Sequence, residues 1–126
     1  MVRFNTTLLR RGLSIGSQHL LTVAGRYNGR PRSTPVSIVT LDRARYIVAA
    51  FGEAAWVANV RAAHSGRLTR AGRTEDVTLT ELPATESGPI IRAFLDQVRG
   101  GVRFFGSQTA DEIVARSDRY PVFRLD

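Results

Sequence analysis

The chain contains no cysteine and no lysine. Without cysteine there is no disulfide, no thiolate zinc site and no cysteine nucleophile. Without lysine, all 18 basic residues are arginine, which keeps its charge and offers forked donors to planar or phosphate oxyanions. The two histidines, His19 and His64, are far apart and belong to no ligand-spaced cluster, so each reads as a structural or surface residue. No apolar run approaches the roughly 18–20 residues of a membrane span. The first sixteen residues lack a long apolar core followed by a small-residue cleavage site, which makes a poor signal peptide. No nucleophile elbow, Walker loop or dinucleotide glycine fingerprint occurs. A catalyst built on this chain needs a bound cofactor to supply its chemistry.

What is present fits one globular unit. At 126 residues, with 43% hydrophobic and 23% charged side chains, residues 1–126 can form a single domain with a real core. Eleven acidic residues leave a net charge of +7, which suggests an anionic partner: a nucleotide, a nucleic acid or an acidic cofactor. Composition does not choose among them.

Residues 19–24 are short, β-branched and apolar, and read as a strand. Asn28-Gly29 follows, the strongest short hairpin signal, because both central residues of a type I′ turn need positive φ. Residues 31–40 return as a second strand with Val36 and Ile38 on one face; Pro31 and Pro35 place it at an edge, a strand start or a bulge. A turn over 41–45 precedes a third strand at 46–50, expected to be buried on both faces. Residues 54–63 read as a short helix with Trp56, Val57 and Val60 on one side. A second hairpin turns at Ala71-Gly72, and Val77 and Leu79 alternate with threonines on its return arm. Ile90, Ile91, Phe94, Leu95 and Val98 fall at helical spacing, ended by Gly100-Gly101. Thr109 and Glu112 form a capping box in sequence, and residues 120–125 close as a strand. Residues 1–17 are expected to be helical and to cover one end of the molecule, with peripheral membrane contact as the alternative use. This order suits a small antiparallel barrel decorated with helices better than alternating βαβ units.

Two segments concentrate chemistry. Residues 25–35 bring Arg26, Asn28, Arg30, Arg32, Ser33 and Thr34 around one bend, where outward backbone N–H groups can make an anion nest. Arg30, Arg32 and Thr34 alternate along the returning strand and so share a face. A solvated hairpin tip accounts for the same residues, and both readings stand at this point. In residues 51–59, Gly52 permits close approach of a flat ligand, with Trp56 as a wall and Asn59 as a polar handle one turn on. The plain alternative is that Trp56 is core. Phe104-Phe105 reads as core packing more readily than as a pocket cap.

Residues 20–35, LLTVAGRYNGRPRSTP, resemble the LLTxxGRxxGxPRxTP signature of the deazaflavin-dependent nitroreductase and oxidoreductase family. Residues 48–59 are similar to its strand, glycine break and Trp-x-x-Asn helix, and residues 120–125 resemble its closing strand. The resemblance implies a mainly β, helix-decorated (α+β) split β-barrel of the flavin-reductase and pyridoxamine-phosphate-oxidase type, binding coenzyme F420, a deazaflavin with a phosphate and an acidic tail. It implies that Arg26, Asn28, Arg30 and Arg32 hold the phosphate and tail with Ser33 and Thr34. Pro35, Val36, Ala49, Ala50, Phe51 and Gly52 line the ring, and Trp56 and Asn59 close its edge. Tyr27 stands where many members carry a second basic residue, and Ala50-Phe51 where several carry Ser-Lys or Ser-Tyr. The implied reaction is hydride transfer from reduced deazaflavin to a small electron-poor molecule: a quinone, an enone or a nitro compound. Ser37, Tyr120 and solvent are the candidate proton donors.

The alternatives are an enzyme of the same barrel using flavin mononucleotide (FMN), a non-catalytic cofactor carrier, and a basic nucleic-acid-binding barrel. A shorter cofactor leaves Arg26 and Arg30 without partners. A single-strand platform needs exposed aromatics among basic strand residues, for which Tyr27 and Tyr46 are the obvious candidates. The expected location is cytoplasmic, with a membrane-peripheral variant, and the expected state a monomer or homodimer without a metal.

Overall fold

The structure, a computed structural model, describes residues 18–126. The helix expected over residues 1–17 lies outside the described residues. Seven strands form one antiparallel sheet: β1 (Gln18–Ala24), β2 (Pro31–Ser37), β3 (Val39–Leu41), β4 (Ala44–Val48), β5 (Ser65–Arg70), β6 (Arg73–Glu81) and β7 (Val122–Leu125). Their spatial order is β2-β1-β5-β6-β7-β4-β3. Among the described residues three α-helices interrupt them: α1 (Ala55–Ala63), α2 (Ser87–Gln97) and α3 (Ala110–Ala115).

The two ends of that order, β2 and β3, are separated in the chain by Ile38 alone. A flat sheet cannot place its opposite edges one residue apart, so this sheet curls into a barrel. The expected single strand over 31–40 is therefore two strands. Residues before Ile38 pair with β1 and residues after it with β4. Ile38 is buried, and its side chain joins the core formed with Leu21, Val36, Ile47, Val57, Val60, Leu68, Leu79 and Phe123. Burial of that side chain holds the crossing in place.

Closure is incomplete. β3 pairs with β4 only from Ala44 to Tyr46, and β2 pairs only with β1. The outer side of β2 and the adjoining side of Ile47 and Val48 thus face each other without a ladder, and this is the split. Gly25 N–H donates to the Arg30 carbonyl, which fixes the alternation along the hairpin. Positions 32, 34 and 36 turn their N–H groups toward β1, Ser33 and Ser37 turn theirs away, and Pro31 and Pro35 fall in the same outward phase. Both prolines fall on outward positions, where they remove no ladder bond and blunt the free edge.

The bends differ from expectation. The type I′ turn anticipated at Asn28-Gly29 is absent, because only Gly29 has positive φ (73°). Asn28 spends its side chain instead: its Oδ1 accepts from Arg30 N at 3.0 Å, and Gly29 N donates to the Gly25 carbonyl at 2.8 Å. Four residues, 26–29, therefore make a wider bend closed by an Asx-type bond. Paired positive φ values occur at Asp42 and Arg43 (52° and 67°) and at Ala71 and Gly72 (51° and 77°). Each of those is a two-residue connection of right-twisted strands. The tight Asp42-Arg43 turn also starts the third strand at Ala44, two residues ahead of expectation, and Tyr46 on it is only half-buried.

The α2 and α3 helices cover a second core of Val39, Ile90, Ile91, Phe94, Phe105, Ile113, Tyr120 and Val122. The capping box is formed: Thr109 Oγ1 accepts from Glu112 N, and Glu112 Oε1 accepts from Thr109 N. Phe105 packs edge-on against Phe94 and Tyr120, with centroids 5.8 and 4.7 Å away, which makes it core.

The α1 helix lies against β1 and β5 on the first core. Arg61 ties it to β6 through a bidentate pair with Glu81, at 2.9 and 2.8 Å. That hydrogen bond holds the Glu81 carboxyl below its ordinary range, against an opposing effect of burial. A depressed carboxylate stabilises the fold above its unfolded pKa of about 4.3 and loses that contribution as pH falls through the folded value. Glu81→Gln should therefore lower thermal stability at pH 7 while matching the parent at low pH, read as converging melting temperatures. Gly66 offers a steric test, since an added Cβ would sit 2.8 Å from the Thr22 carbonyl oxygen and 3.0 Å from Val23 Cγ2. Gly66→Ala should cost about 2 kcal/mol in urea unfolding. Gly88→Ala, whose Cβ would meet only Ser117 Oγ at 3.6 Å, should be neutral or stabilising.

Candidate functional site

A cavity of about 510 Å³ opens between the β1–β2 hairpin and α1, within the size range of small-molecule sites. Strand alternation explains its lining. Leu21 and Val23 point into the barrel from β1, and their partners across the ladder are Thr34 and Arg32. Thr34 and Arg32 therefore lie on the inward face, at the mouth where the barrel core ends. The bend contributes Gly25, Arg26, Tyr27 and Asn28, and α1 contributes Ala55, Trp56 and Asn59. Trp56 is half-buried and its ring meets Phe123 at 6.0 Å, so it is both core and wall.

The polar side of the cavity is organised around Asn59, which is 6% exposed. Its Oδ1 accepts from Arg26 N at 3.1 Å and from Arg26 Nη1 at 2.9 Å. Arg26 Nη1 also reaches the Ala55 carbonyl at 3.4 Å, and the guanidinium carbon lies 4.5 Å from the centroid of the Tyr27 ring. Among the described residues, Arg45, Arg61, Arg67, Arg92 and Arg124 each pair with a carboxylate. None of these pairs uses Arg26, Arg30 or Arg32. The cavity thus presents uncompensated positive charge beside an apolar and aromatic wall. An aromatic anion is the ligand that such a pairing suits.

The sequence-derived residues divide. Arg26, Asn28, Arg32, Ser33, Thr34, Trp56 and Asn59 line the cavity. Ser33 also shares a hydrogen bond with Thr22 across the outer face at 2.8 Å. Arg30 is exposed at the bend and is not part of the lining, so it does not share the groove expected with Arg32 and Thr34. Val36 and Ala49 are buried in the first core, Pro35 is half-buried on β2, and Ala50 and Phe51 follow β4, with Phe51 69% exposed.

Gly52 lines a different, smaller cleft of about 190 Å³ with Arg119, Tyr120 and Pro121. A Cβ on it would meet Pro121 Cδ at 3.3 Å, so the space beside this glycine is filled by the chain itself. The Tyr120 hydroxyl accepts from Gln108 Nε2 at 3.0 Å. Ser37 ends β2, opposite Gln18. Neither Tyr120 nor Ser37 lines the larger cavity. The lining adds Leu21, Val23, Gly25, Tyr27 and Ala55 to the residues expected from the sequence; Leu21 and Val23 are legible as inward positions of a strand whose partner carries Arg32 and Thr34. Trp56 is the only tryptophan, so an aromatic ligand entering the cavity should quench the protein's tryptophan emission. Trp56→Phe should abolish that signal.

A family model described as F420H(2)-dependent quinone reductase matches residues 1–113. A search of curated proteins gives no match. Among solved structures, the chain is similar to one described as a domain-swapped dimer, at 18% identity over 98% of this chain and 95% of that one, with a TM-score of 0.66. It is also similar to an F420-H2 dependent reductase (FDR-A), at 19% identity over 87% and 94%, TM-score 0.63. ChuZ of Campylobacter jejuni resembles it at 15% identity over 88% of this chain and 48% of that one, TM-score 0.63. At these identities the structural likeness establishes the fold, a split β-barrel.

Proposed function

The chain belongs to the F420H(2)-dependent quinone reductase family, and on that premise we propose that the cavity between the β1–β2 hairpin and α1 is where it binds its deazaflavin. The chain is a deazaflavin-dependent oxidoreductase that reduces small electron-poor molecules. The observation that carries the site assignment is the placement of Arg26 and Arg32, without acidic partners, beside Leu21, Val23 and Trp56.

The residues fit the group. Arg26 and Arg32, with the Ser33 and Thr34 hydroxyls and the Asn28 amide, supply the donors that a phosphate and acidic tail require. Exposed Arg30, just outside the lining, extends the positive rim toward the tail. Leu21, Val23, Ala55 and Trp56 supply flat apolar contact for a tricyclic head. By motif position Pro35, Val36, Ala49, Ala50 and Phe51 border or back the ring: Pro35, Ala50 and Phe51 from the flanks of the split, Val36 and Ala49 from the core. Gly52, in the separate cleft beside Pro121, does not reach it.

When bound, the reduced deazaflavin supplies a two-electron hydride to the acceptor. The protein's share is to hold the charged end of the coenzyme, orient its head against the acceptor and exclude water from the buried side. Ser37 and Tyr120 lie off the cavity, so the accompanying proton is assigned to solvent at its open mouth. Among the described residues no helix is long and apolar enough to cross a membrane. Likeness to a domain-swapped dimer supports a homodimer, which sedimentation would reveal.

Titration with reduced or oxidised deazaflavin coenzyme and with FMN tests the assignment. Saturable binding of the deazaflavin should weaken about tenfold or more in Arg32→Ala, for a lost charge-assisted contact of about 1.5–3 kcal/mol. FMN should bind more weakly, having no acidic tail for the outer arginines. Indifference of the parent protein to the deazaflavin would overturn the reading.

A further inference from the structure

We infer that Asn59 is a positioning residue: it locks the Arg26 guanidinium at the cavity mouth and so sets the affinity for the anionic end of the coenzyme. The inference rests on the coenzyme reading above and deepens it. It also assigns Asn59 a different task from the ring-edge contact that its motif position suggests.

Among the described residues, the buried polar side chains are Asn59 and Ser87. Ser87 donates to the Ala84 and Ser117 carbonyls, at 2.7 and 3.2 Å, and serves a turn. Asn59 has no such local duty. Both of its hydrogen bonds cross from α1 to one residue 33 positions earlier, reaching the Arg26 backbone and side chain together. Both partners are donors, so the amide orientation is forced: the oxygen faces Arg26.

Buried on α1 and backed by the first core, the Asn59 amide has little freedom, and Arg26 inherits that rigidity. The Ala55 carbonyl and the Tyr27 ring complete the cradle. The protein contacts of the Arg26 head use Nη1 and the ring face of Tyr27, so Nε and Nη2 are left for a ligand. A free arginine side chain must be ordered when an anion binds, at a cost of up to about 2 kcal/mol. Here the fold has ordered it already, which is how a long flexible cation becomes a preorganised clamp.

The test compares two ligands that share the deazaflavin head, the complete coenzyme and the phosphate-free deazariboflavin, by fluorescence titration of the full chain. Asn59→Ala should weaken the complete coenzyme about tenfold and leave the phosphate-free compound within twofold. In an Arg26→Ala background, Asn59→Ala should have no further effect.

Asn59→Asp is the second variant. It keeps both accepting bonds and hence the fold, but pairs the Arg26 charge with a carboxylate, so it should spare melting temperature and still weaken only the phosphate-bearing ligand. Equal losses for both ligands would show a direct contact with the head and overturn the inference. So would additive effects of Asn59→Ala and Arg26→Ala, or unchanged coenzyme affinity in both Asn59 variants. Those outcomes differ from failure of the coenzyme reading itself, in which the parent protein binds neither compound.

Discussion

One buried residue between two strands governs this molecule. Ile38 is the single step by which the chain leaves one end of the sheet and joins the other. The hydrogen-bond ladders on either side of it can both form only if the sheet curls until its ends meet. The barrel, its interior core and the position of the split all follow from that crossing. The split opens where the two ladders run out, because β2 is fully used by β1 and β3 is too short to follow β4 beyond Tyr46. Prolines at the outward positions of β2 keep that edge from recruiting another strand.

The cavity is a by-product of how the barrel is stoppered. One side of α1 completes the core with Val57 and Val60, and the same helix turns Ala55, Trp56 and Asn59 toward the β1–β2 hairpin. The hairpin bend is wide, four residues closed by Asn28, and so it stands away from the helix far enough to leave a space. Across that space a single amide carries two hydrogen bonds. A buried amide oxygen without partners would cost about 1–3 kcal/mol, so the Asn59–Arg26 contact binds helix and hairpin together as firmly as it aims the guanidinium. Stability and recognition thereby share one interaction, and the helix cannot shift without moving the charge.

Much of the architecture was legible in the chain. The alternation of Val77 and Leu79 with threonines, the apolar face of α2 and the Thr109–Glu112 box each state their own local structure. These signals arise within a few residues and need no distant partner. The prolines were equally informative, since a missing N–H restricts a strand position whatever surrounds it. The family motifs added the barrel type and the coenzyme, which no periodicity could have supplied. Local reading failed at Asn28-Gly29, where a side-chain hydrogen bond replaced a second positive φ, and at Ile38, whose strand neighbours gave no local sign that their partners lie at opposite ends of a sheet.

For the site, the sequence by itself determined the inventory: arginines that cannot lose charge, hydroxyls on a strand, a lone tryptophan and an asparagine one turn later. It also determined which of them alternate together, because strand and helix periods are fixed by backbone geometry. Only the tertiary structure decided that Arg30 stays outside the cavity, that Gly52 is filled by Pro121 instead of opening toward Arg26, and that Asn59 faces an arginine. Those outcomes depend on where α1 and the loop before Pro121 come to rest against the barrel. Packing between elements distant in sequence sets that position, and no short stretch of residues contains it.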